Sequence, residues 1–315
     1  MVDSKQQWKA WVYLAPALVL LAIFTIWPII NTTIMAFQEG YNEMDAIRLG
    51  RWGFPIGIGN FLKVLKYNKF IEALTNTLVL CVPTVILSTF LALVISVCLN
   101  SIRPLQRFLQ TIYFLPYVTN SIAIGMVFAA MFNIVGNTAA ANPIIDTYGI
   151  INNALMAIGI DPINWINAGS TKEANMAVMI IYIVWNALPF KILVLLGALQ
   201  SVNKQYYDAA KVDGTSKVRT FTRITVPLLS PMITYVVITG FIGGFKEYSS
   251  IVGVFGDSMG PVGAPKRLNT MVGLIYDSIT SGNTGVASAA ALILFVIIFI
   301  ITMINLYISK KTTYY

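Results

Sequence analysis

Long runs of apolar residues are the feature that most constrains this chain. Six stretches carry almost no charge, and each is long enough to cross about 30 Å of hydrocarbon as a helix, which takes roughly 20 residues. Charged residues make up 11% of the 315-residue chain, well below the roughly 25% typical of soluble domains. The sequence therefore predicts an all-α integral membrane protein with six transmembrane helices, near residues 12–37, 75–99, 109–132, 176–199, 232–256 and 286–308.

The basic residues border these apolar runs, as membrane topology requires. A cytoplasmic N-terminus places most Lys and Arg residues in short cytoplasmic segments and most acids in the longer outer loops. This predicts a plasma-membrane protein with cytoplasmic segments 1–11 and 309–315 flanking a transmembrane domain over 12–308. Because the basic residues are not gathered with aromatic residues into one stripe, no nucleic-acid partner is expected.

One polar, basic stretch interrupts the apolar pattern between the fourth and fifth predicted helices. It reads YYDAAKVDGTSKVRTFTRITVPLLSP and covers residues 206–231 of a cytoplasmic loop, 202–231. The pattern predicts a helix over 202–212 that ends at Asp213-Gly214, where glycine supplies a positive φ, and a second short helix over 216–223. Pro227 and Pro231 are then expected to break the chain before it re-enters the bilayer.

This loop has the form of a docking surface for a soluble partner. Its apolar side is expected to fill a groove on that partner, with Val202, Tyr206, Ala209 and Ala210 as the contacts. The alternative is that the basic residues only satisfy the positive-inside rule and that the loop contacts nothing.

The same loop resembles a known signature. Asp208-Ala209-Ala210, Asp213-Gly214, Ile224 and Pro227 resemble the EAA motif of permease subunits of binding-protein-dependent ABC importers, with Asp208 and Val226 in place of the usual Glu and Leu. The similarity extends along nearly the whole chain. YLAPALVLLAIFTIWPII, FIEALTNTLVL, RFLQTIYFLPYVTNSIAIGMVF and VWNALPFKILVLLGALQSV resemble the carbohydrate branch, of maltose and multiple-sugar type.

The resemblance implies an architecture and a set of partners. It implies the type I ABC importer permease fold, a heterodimer with a second permease, two ATPase subunits, an extracellular solute-binding protein and a carbohydrate cargo, an oligosaccharide, within membrane lipid. It also implies that the EAA-type loop couples the permease to the ATPase. The residues implied in that coupling are Asp208, Ala209, Ala210, Asp213, Gly214, Ile224 and Pro227.

The chain has no residues arranged for catalysis. It lacks a G-x-x-x-x-G-K-[ST] phosphate loop and contains no histidine. Cys81 and Cys98 would lie about 25 Å apart on one helix, so they cannot pair with each other. We therefore expect no catalytic residue, metal or cofactor in this chain, and ATP and Mg are expected to bind a partner ATPase.

Polar and aromatic residues inside the fourth and fifth spans predict a substrate cavity near the membrane midplane. They lie about nine residues, or about 13–15 Å, from the outer ends of their helices. The resemblance adds that the family uses the corresponding part of the fifth helix for substrate contact. The predicted residues are Trp185, Asn186, Phe245, Glu247 and Tyr248.

The same residues have alternative interpretations. Glu247 can instead pair with a basic residue and hold two helices together, and Lys191 is left out because a lysine there can snorkel toward the cytoplasm. Gly240, Gly243 and Gly244 allow either close helix contact or an unwound turn, and the run 287–291 is interpreted as a packing face.

Two outer loops have equally open interpretations. The long loop 133–175 either contacts the binding protein or covers the helix bundle, and loop 38–70 leaves the same choice.

Two other functions are alternatives to ABC import. An ion-coupled secondary transporter of a small polar solute would need inverted repeats and several midplane acids, whereas Glu247 is the only acid within a span. A membrane scaffold without transport activity does not explain the polar positions of the fourth and fifth helices.

Overall fold

The computed structural model describes residues 7–50, 53–102, 117–135 and 147–312, together with 108, 111, 112 and 115. The regular secondary structure of these residues is helical apart from one short two-stranded ribbon, Ile134–Val135 (β1) with Thr147–Tyr148 (β2), and loops join the elements. The helices are α1 Gln7–Leu21, α2 Trp27–Phe37, α3 Glu43–Leu49, α4 Gly59–Lys66, α5 Phe70–Ser101, α6 Ser121–Phe132, α7 Ile150–Ala157, α8 Lys172–Ser201, α9 Lys204–Val212, α10 Lys217–Thr220, α11 Val226–Phe245, α12 Ser249–Phe255, α13 Met271–Thr280 and α14 Thr284–Thr312.

Five helices in the described part of the chain are long and apolar enough to cross a membrane. They are Trp8–Phe37, Phe70–Ser101, Lys172–Ser201, Lys217–Phe245 and Thr284–Ser309. They confirm the apolar helices predicted at 12–37, 75–99, 176–199 and 286–308. The span predicted at 109–132 includes positions outside the described residues, and its described end is the 12-residue helix α6, so the sixth span stays a prediction.

Two helices accommodate a proline by widening one turn. A π-helical turn, Phe221–Thr225, joins α10 to α11, and the Val226 N–H donates to Phe221 O. Pro227 has no N–H, and its ring clashes with the carbonyl of residue 223, so an inserted residue relieves the crowding. The helix therefore runs on from Lys217 to Phe245, and the prediction that Pro227 and Pro231 break the chain is wrong. An equivalent turn, Ala22–Ile26, precedes Pro28.

The fifth predicted span is not one continuous helix, because the helix breaks within it. α11 ends at Phe245, residues 246–248 are not helical, and α12 begins at Ser249. The Thr270 hydroxyl donates to the Glu247 carbonyl at 2.9 Å, so a side chain satisfies a backbone acceptor that the broken helix leaves free. A single helix over 232–256 is therefore wrong.

The chain forms two compact units. The first comprises residues 1–70 and 274–296. Within it Asn60 is fully buried, donates to the carbonyls of Gln38 at 2.7 Å and Ala36 at 3.1 Å, and accepts the Gly40 N–H at 3.2 Å. These bonds satisfy carbonyls at the end of α2. Residues 287–290 of α14 are buried in the same unit, which confirms their prediction as a packing face.

The second unit comprises residues 71–273 and 297–315. One of its apolar clusters is centred on Tyr182, Met179 and Phe128, and another on Leu195 and Leu229. α8 contributes to both clusters and is the central helix of this unit. The side chains of α8 that lie outside these two clusters can line a site.

The described part of the long loop 133–175 packs against α6 within the second unit. Asn152 is fully buried, donates to Ile163 O at 3.0 Å and accepts the Trp165 indole N–H at 3.0 Å. The Trp165 ring meets Phe132 edge-on at 5.6 Å. This packing is what the covering interpretation expects. Residues 136–146 of the loop lie outside the described residues, and contact with a binding protein stays a prediction.

Candidate functional site

A cavity of about 260 Å³ lies within the second unit, at the break that follows α11. Its walls come from α5, α8 and α11, and Tyr117 and Glu247 complete them. The volume is just below the roughly 300–1,000 Å³ common for small-molecule sites. The lining combines hydroxyl, amide, aromatic and charged groups, so the cavity is equipped to bind a polar organic molecule.

Two of the five predicted cavity residues line this cavity, Asn186 and Glu247. Trp185 packs its ring 5.4 Å from Phe128 instead. Phe128 belongs to α6, so the Trp185 ring lies on the side of α8 that faces α6. Trp185 therefore does not line this cavity, and its contact with a substrate stays a prediction.

Phe245 and Tyr248 flank the break and also lie off the cavity wall. Phe245 is fully buried as the last residue of α11, and Tyr248 packs against the apolar cluster around Tyr182. The break changes the direction of the backbone between them, so helical spacing cannot predict which side chains face the cavity. Neither residue lines this cavity, and their contact with a substrate also stays a prediction.

Sequence reasoning missed a pair of aromatic rings on the cavity wall. Tyr117 and Phe190 both line the cavity and stack with ring centroids 5.8 Å apart and planes 19° apart. Phe190 lies one helical turn after Asn186, so the four-residue spacing on α8 could have found it. Tyr117 lies outside the two helices to which the prediction was confined.

Lys191 also lines the cavity. The sequence-based prediction leaves this lysine out because its side chain can extend toward the cytoplasm instead. Its side chain is buried, with 4% of the residue exposed, and its ammonium donates to Ser88 Oγ at 2.7 Å, Thr89 Oγ1 at 2.9 Å and Val85 O at 3.3 Å. All three acceptors belong to α5. Hydrogen bonds to neutral groups thus hold a buried cation in place.

Glu247 is the second ionisable group on the cavity wall. Its Oε1 accepts the backbone N–H of Ser250 at 3.3 Å. The ion pairs within 4.0 Å among the described residues are Lys172–Glu72 and Lys211–Asp208, so Glu247 and Lys191 are not paired with each other. The alternative in which Glu247 holds two helices together by an ion pair therefore finds no partner in the described part of this chain.

Close backbone approach brings α11 against α5 beside the cavity. A Cβ atom on Gly244 would lie 2.6 Å from Cys81 Sγ, and one on Gly240 would lie 3.1 Å from Lys191 Nζ. Gly243 has open space around it and lines the cavity. Close helix contact, the first alternative for this glycine run, is confirmed, and the unwound turn follows two residues after Gly244.

The start of the predicted cytoplasmic loop 202–231 folds as a short helix that ends at a glycine. α9 begins after Asn203, whose side chain accepts the Gln205 N–H at 3.0 Å. At its end Gly214 has φ +65°, the Thr215 N–H donates to Ala210 O at 2.9 Å, and the Gly214 N–H donates to Lys211 O at 3.1 Å. These two bonds form the Schellman motif. The positive φ predicted for Gly214 is confirmed.

The predicted groove-filling side of α9 needs one correction. Ala210 is buried within its own chain, so it is not available to a partner, whereas Ala209 is exposed. The large exposed apolar residues of the loop are Tyr206, Val212, Val218 and Leu228, of which Val212 and Val218 are the most exposed, at 88% and 75%.

The remaining residues of the predicted motif lie around this helix end. Asp208 and Asp213 are exposed, and Asp208 pairs with Lys211 at 3.5 Å. Ile224 is half-buried in the π-helical turn, and Pro227 lies in the continuous helix after it. The Thr225 hydroxyl donates to the Tyr207 hydroxyl oxygen at 3.4 Å, so α9 is attached to the helix that follows it.

Comparison with known proteins places this architecture in a family. The binding-protein-dependent transport system inner membrane component matches residues 84–314, well over half of the chain. The chain belongs to this family. It is accordingly a multi-pass inner-membrane transport subunit and not an enzyme, and ATP is hydrolysed by a partner subunit. The secondary-transporter alternative is thereby set aside.

Several relatives match almost the full length of the chain. The arabinooligosaccharides transport system permease AraP of Bacillus subtilis is 28% identical and covers 95% of this chain and 88% of its own. The trehalose/maltose transport system permease MalF of Thermococcus litoralis is 27% identical, with 94% and 91% covered. The multiple sugar-binding transport system permease MsmF of Streptococcus mutans is 27% identical, with 96% and 95% covered.

Solved structures share the fold. A chain of a bacterial ABC transporter involved in the import of the acidic polysaccharide alginate superposes with a TM-score of 0.76 at 21% identity, and 99% of this chain and 98% of that chain are covered. A second structure of a bacterial alginate transporter, in complex with an alginate pentasaccharide-bound periplasmic protein, gives a TM-score of 0.75.

Proposed function

We propose that this family member is the transmembrane subunit of an ATP-driven importer that moves an oligosaccharide into the cell by alternating access. The observation that carries the proposal is the cavity wall itself. It sets a stacked aromatic pair, Tyr117 and Phe190, beside the amide of Asn186 and the carboxylate of Glu247.

This combination suits a sugar ring. Aromatic faces pack against the apolar C–H faces of a ring, and a few placed polar groups bind the hydroxyls and fix its orientation. The amide of Asn186 can both donate and accept, and the Glu247 carboxylate accepts from hydroxyl donors. The relatives named for arabinooligosaccharides, trehalose/maltose and multiple sugars support a saccharide cargo.

The proposal extends to the loop at 202–231. α9 ends in a fixed Schellman motif and is attached to the helix Lys217–Phe245, which reaches the cavity through Gly240, Gly243 and Gly244. A movement of α9 would therefore be carried along one helix to the cavity wall. We assign α9 as the contact with a separate ATPase, and Asp208, Ala209, Asp213 and Gly214 present its exposed side.

The complete importer would contain a second permease as a heterodimeric partner, two ATPase subunits and an external binding protein. Both termini would be cytoplasmic, which puts the 202–231 loop on the same side as the ATPase. The charge distribution supports this orientation.

The aromatic pair provides the test of the cavity. Phe190→Ala removes one stacking face, and Phe90→Ala, an exposed phenylalanine of α5 that does not line the cavity, is the matched control. We expect Phe190→Ala to lower uptake at limiting oligosaccharide by about tenfold, which corresponds to about 1.4 kcal/mol of binding. Basal ATPase activity of the assembled complex should persist.

Uptake is measured with radiolabelled maltotriose and arabinotriose in cells that express the whole importer. Uptake by Phe190→Ala at the level of Phe90→Ala would show that the cargo does not occupy this cavity.

A further inference from the structure

Glu247 lines the cavity from the break that follows α11, and its backbone there is held from outside the helix. Its N–H still donates to Gly244 O, in the last turn of α11, at 3.3 Å. Its carbonyl has left the helix and accepts the Thr270 hydroxyl at 2.9 Å. Thr270 therefore fixes the part of the Glu247 backbone that α11 no longer holds.

Thr270 belongs to a segment, residues 267–271, that is anchored on α5. Thr270 itself is fully buried. Three hydrogen bonds join the segment to α5, namely Asn76 Nδ2 to Arg267 O at 3.1 Å, Asn76 Nδ2 to Asn269 O at 2.9 Å, and Met271 N–H to Thr77 Oγ1 at 3.0 Å. About two turns further along, the same helix contributes Thr84 and Ser88 to the cavity wall. Thr270 therefore ties the break to a helix that forms another part of that wall.

From these contacts we propose that Thr270 is a positioning residue of the transport cavity, whose hydroxyl holds Glu247 in place relative to α5. The inference rests on the proposed function, because it gives a residue outside the cavity a part in cargo binding. Thr270 does not line the cavity itself, so it acts on the cargo only through Glu247.

Removal of the Thr270 hydroxyl leaves the Glu247 carbonyl without this donor. An unpartnered carbonyl in part-buried surroundings is unfavourable, so the break is expected to shift until the carbonyl meets another donor. The Glu247 side chain moves with its backbone, and the cargo then loses a polar contact on the cavity wall.

Thr270 also has an ordinary structural role, and the two roles are separable by experiment. Its Oγ1 accepts the Gly273 N–H at 3.2 Å, which caps the first turn of α13. Loss of a capping role alone affects the amides of residues 271–275, at the start of α13. Loss of a positioning role affects the amides of residues 246–250, at the break.

Hydrogen exchange in the complete importer, reconstituted in lipid nanodiscs, measures both segments in one sample. Thr270→Val keeps the shape of the side chain and removes both hydrogen bonds, whereas Thr270→Ser retains a hydroxyl that can make both. We expect Thr270→Val to speed exchange at residues 246–250 at least tenfold, and Thr270→Ser to leave it within twofold.

Thr171→Val is the matched control for the loss of a cap. The Thr171 side chain caps α8 by accepting the Ala174 N–H at 3.2 Å. The control therefore loses the same kind of bond at another helix, and exchange at residues 246–250 should not change.

Uptake of radiolabelled maltotriose and arabinotriose at limiting concentration shows whether the contact serves transport. We expect at least a fivefold loss of uptake in Thr270→Val and normal uptake in Thr270→Ser and Thr171→Val. If Thr270→Val does not assemble, Thr270→Cys, whose thiol is a weak donor, should produce both changes to a smaller extent.

Faster exchange confined to residues 271–275 would leave Thr270 with a capping role alone and overturn the inference. Faster exchange at residues 246–250 with unchanged uptake would also overturn it, and the proposed function would stand. If the unsubstituted importer transports neither sugar, the proposed function fails and the inference fails with it.

Discussion

At the scale of single residues, the contact between α11 and α5 depends on the absence of side chains. Gly244 faces Cys81, whose thiol also approaches the Phe241 carbonyl at 3.8 Å, so the sulfur has little room to move. Gly243, the preceding residue, faces open space. Two adjacent glycines of one helix therefore have different reasons to be small, and substitution can separate them.

We expect Gly244→Ala to destabilise the protein and Gly243→Ala to leave it unchanged or slightly more stable. Alanine favours a helix over glycine by about 0.8–1 kcal/mol at either site. At Gly244 the new Cβ would lie 2.6 Å from Cys81 Sγ, and overpacking of this kind costs about 1–3 kcal/mol. Thermal unfolding of the detergent-solubilised protein measures the difference.

The double variant Cys81→Ala/Gly244→Ala provides the control for that prediction. Removal of the sulfur leaves the neighbouring Cβ at 3.2 Å, so most of the lost stability should return. Equal unfolding temperatures for Gly244→Ala and Gly243→Ala would contradict the close contact.

At the scale of secondary-structure elements, local chemistry predicted some boundaries and missed others. The end of α9 follows from Asp213-Gly214, because glycine adopts the positive φ of a C′ position with no penalty from a Cβ atom. The effect of Pro227 depends instead on whether the helix breaks or inserts a residue. The helix inserts a residue and continues, and no local sequence pattern distinguishes this outcome from a break.

The break at residues 246–248 was not predictable from helix propensity alone. It requires an acceptor to be satisfied from outside the helix, which Thr270 does from 23 residues away. The same dependence on tertiary contacts explains which of the predicted residues line the cavity. Asn186 was found because its helix is regular, whereas Phe245 and Tyr248 lie off the cavity wall because the backbone turns between them.

At the end of α9 we expect Gly214→Val to impair transport and Gly214→Asn to preserve it. A Cβ atom on Gly214 would meet nothing within 4 Å, so the change acts through the backbone. The left-handed conformation costs an ordinary L-residue about 1–2 kcal/mol, whereas asparagine adopts it routinely. Valine should therefore distort the end of the proposed ATPase contact.

Co-purification with the ATPase and sugar-stimulated ATP hydrolysis are the measurements for Gly214. Loss of both in Gly214→Val, with normal membrane insertion and normal values for Gly214→Asn, is the expected result. Normal coupling in Gly214→Val would reduce the loop to a signal for membrane orientation.

At the scale of the whole molecule, the composition of the chain predicts the long helices better than it predicts which of their faces meet. Apolar runs fixed four of the five long helices, because the length needed to cross hydrocarbon is nearly independent of packing. The cavity depends on which faces of α5, α8 and α11 meet. Lys191 and Tyr117 were missed because that meeting is a property of the folded unit and not of any one helix.

The orientation of the chain is the prediction on which the functional assignments depend most. The positive-inside rule puts loop 202–231 in the cytoplasm and loop 133–175 outside. Asp161 and Val218 are both exposed and belong to these two loops. In a Cys98→Ala background, a membrane-impermeant maleimide added to intact cells should label Asp161→Cys and spare Val218→Cys until the membrane is opened. Cys81 is buried and serves as the internal negative control. The reverse labelling pattern would place α9 outside the cell, where no ATPase could reach it, and the proposed coupling would be wrong.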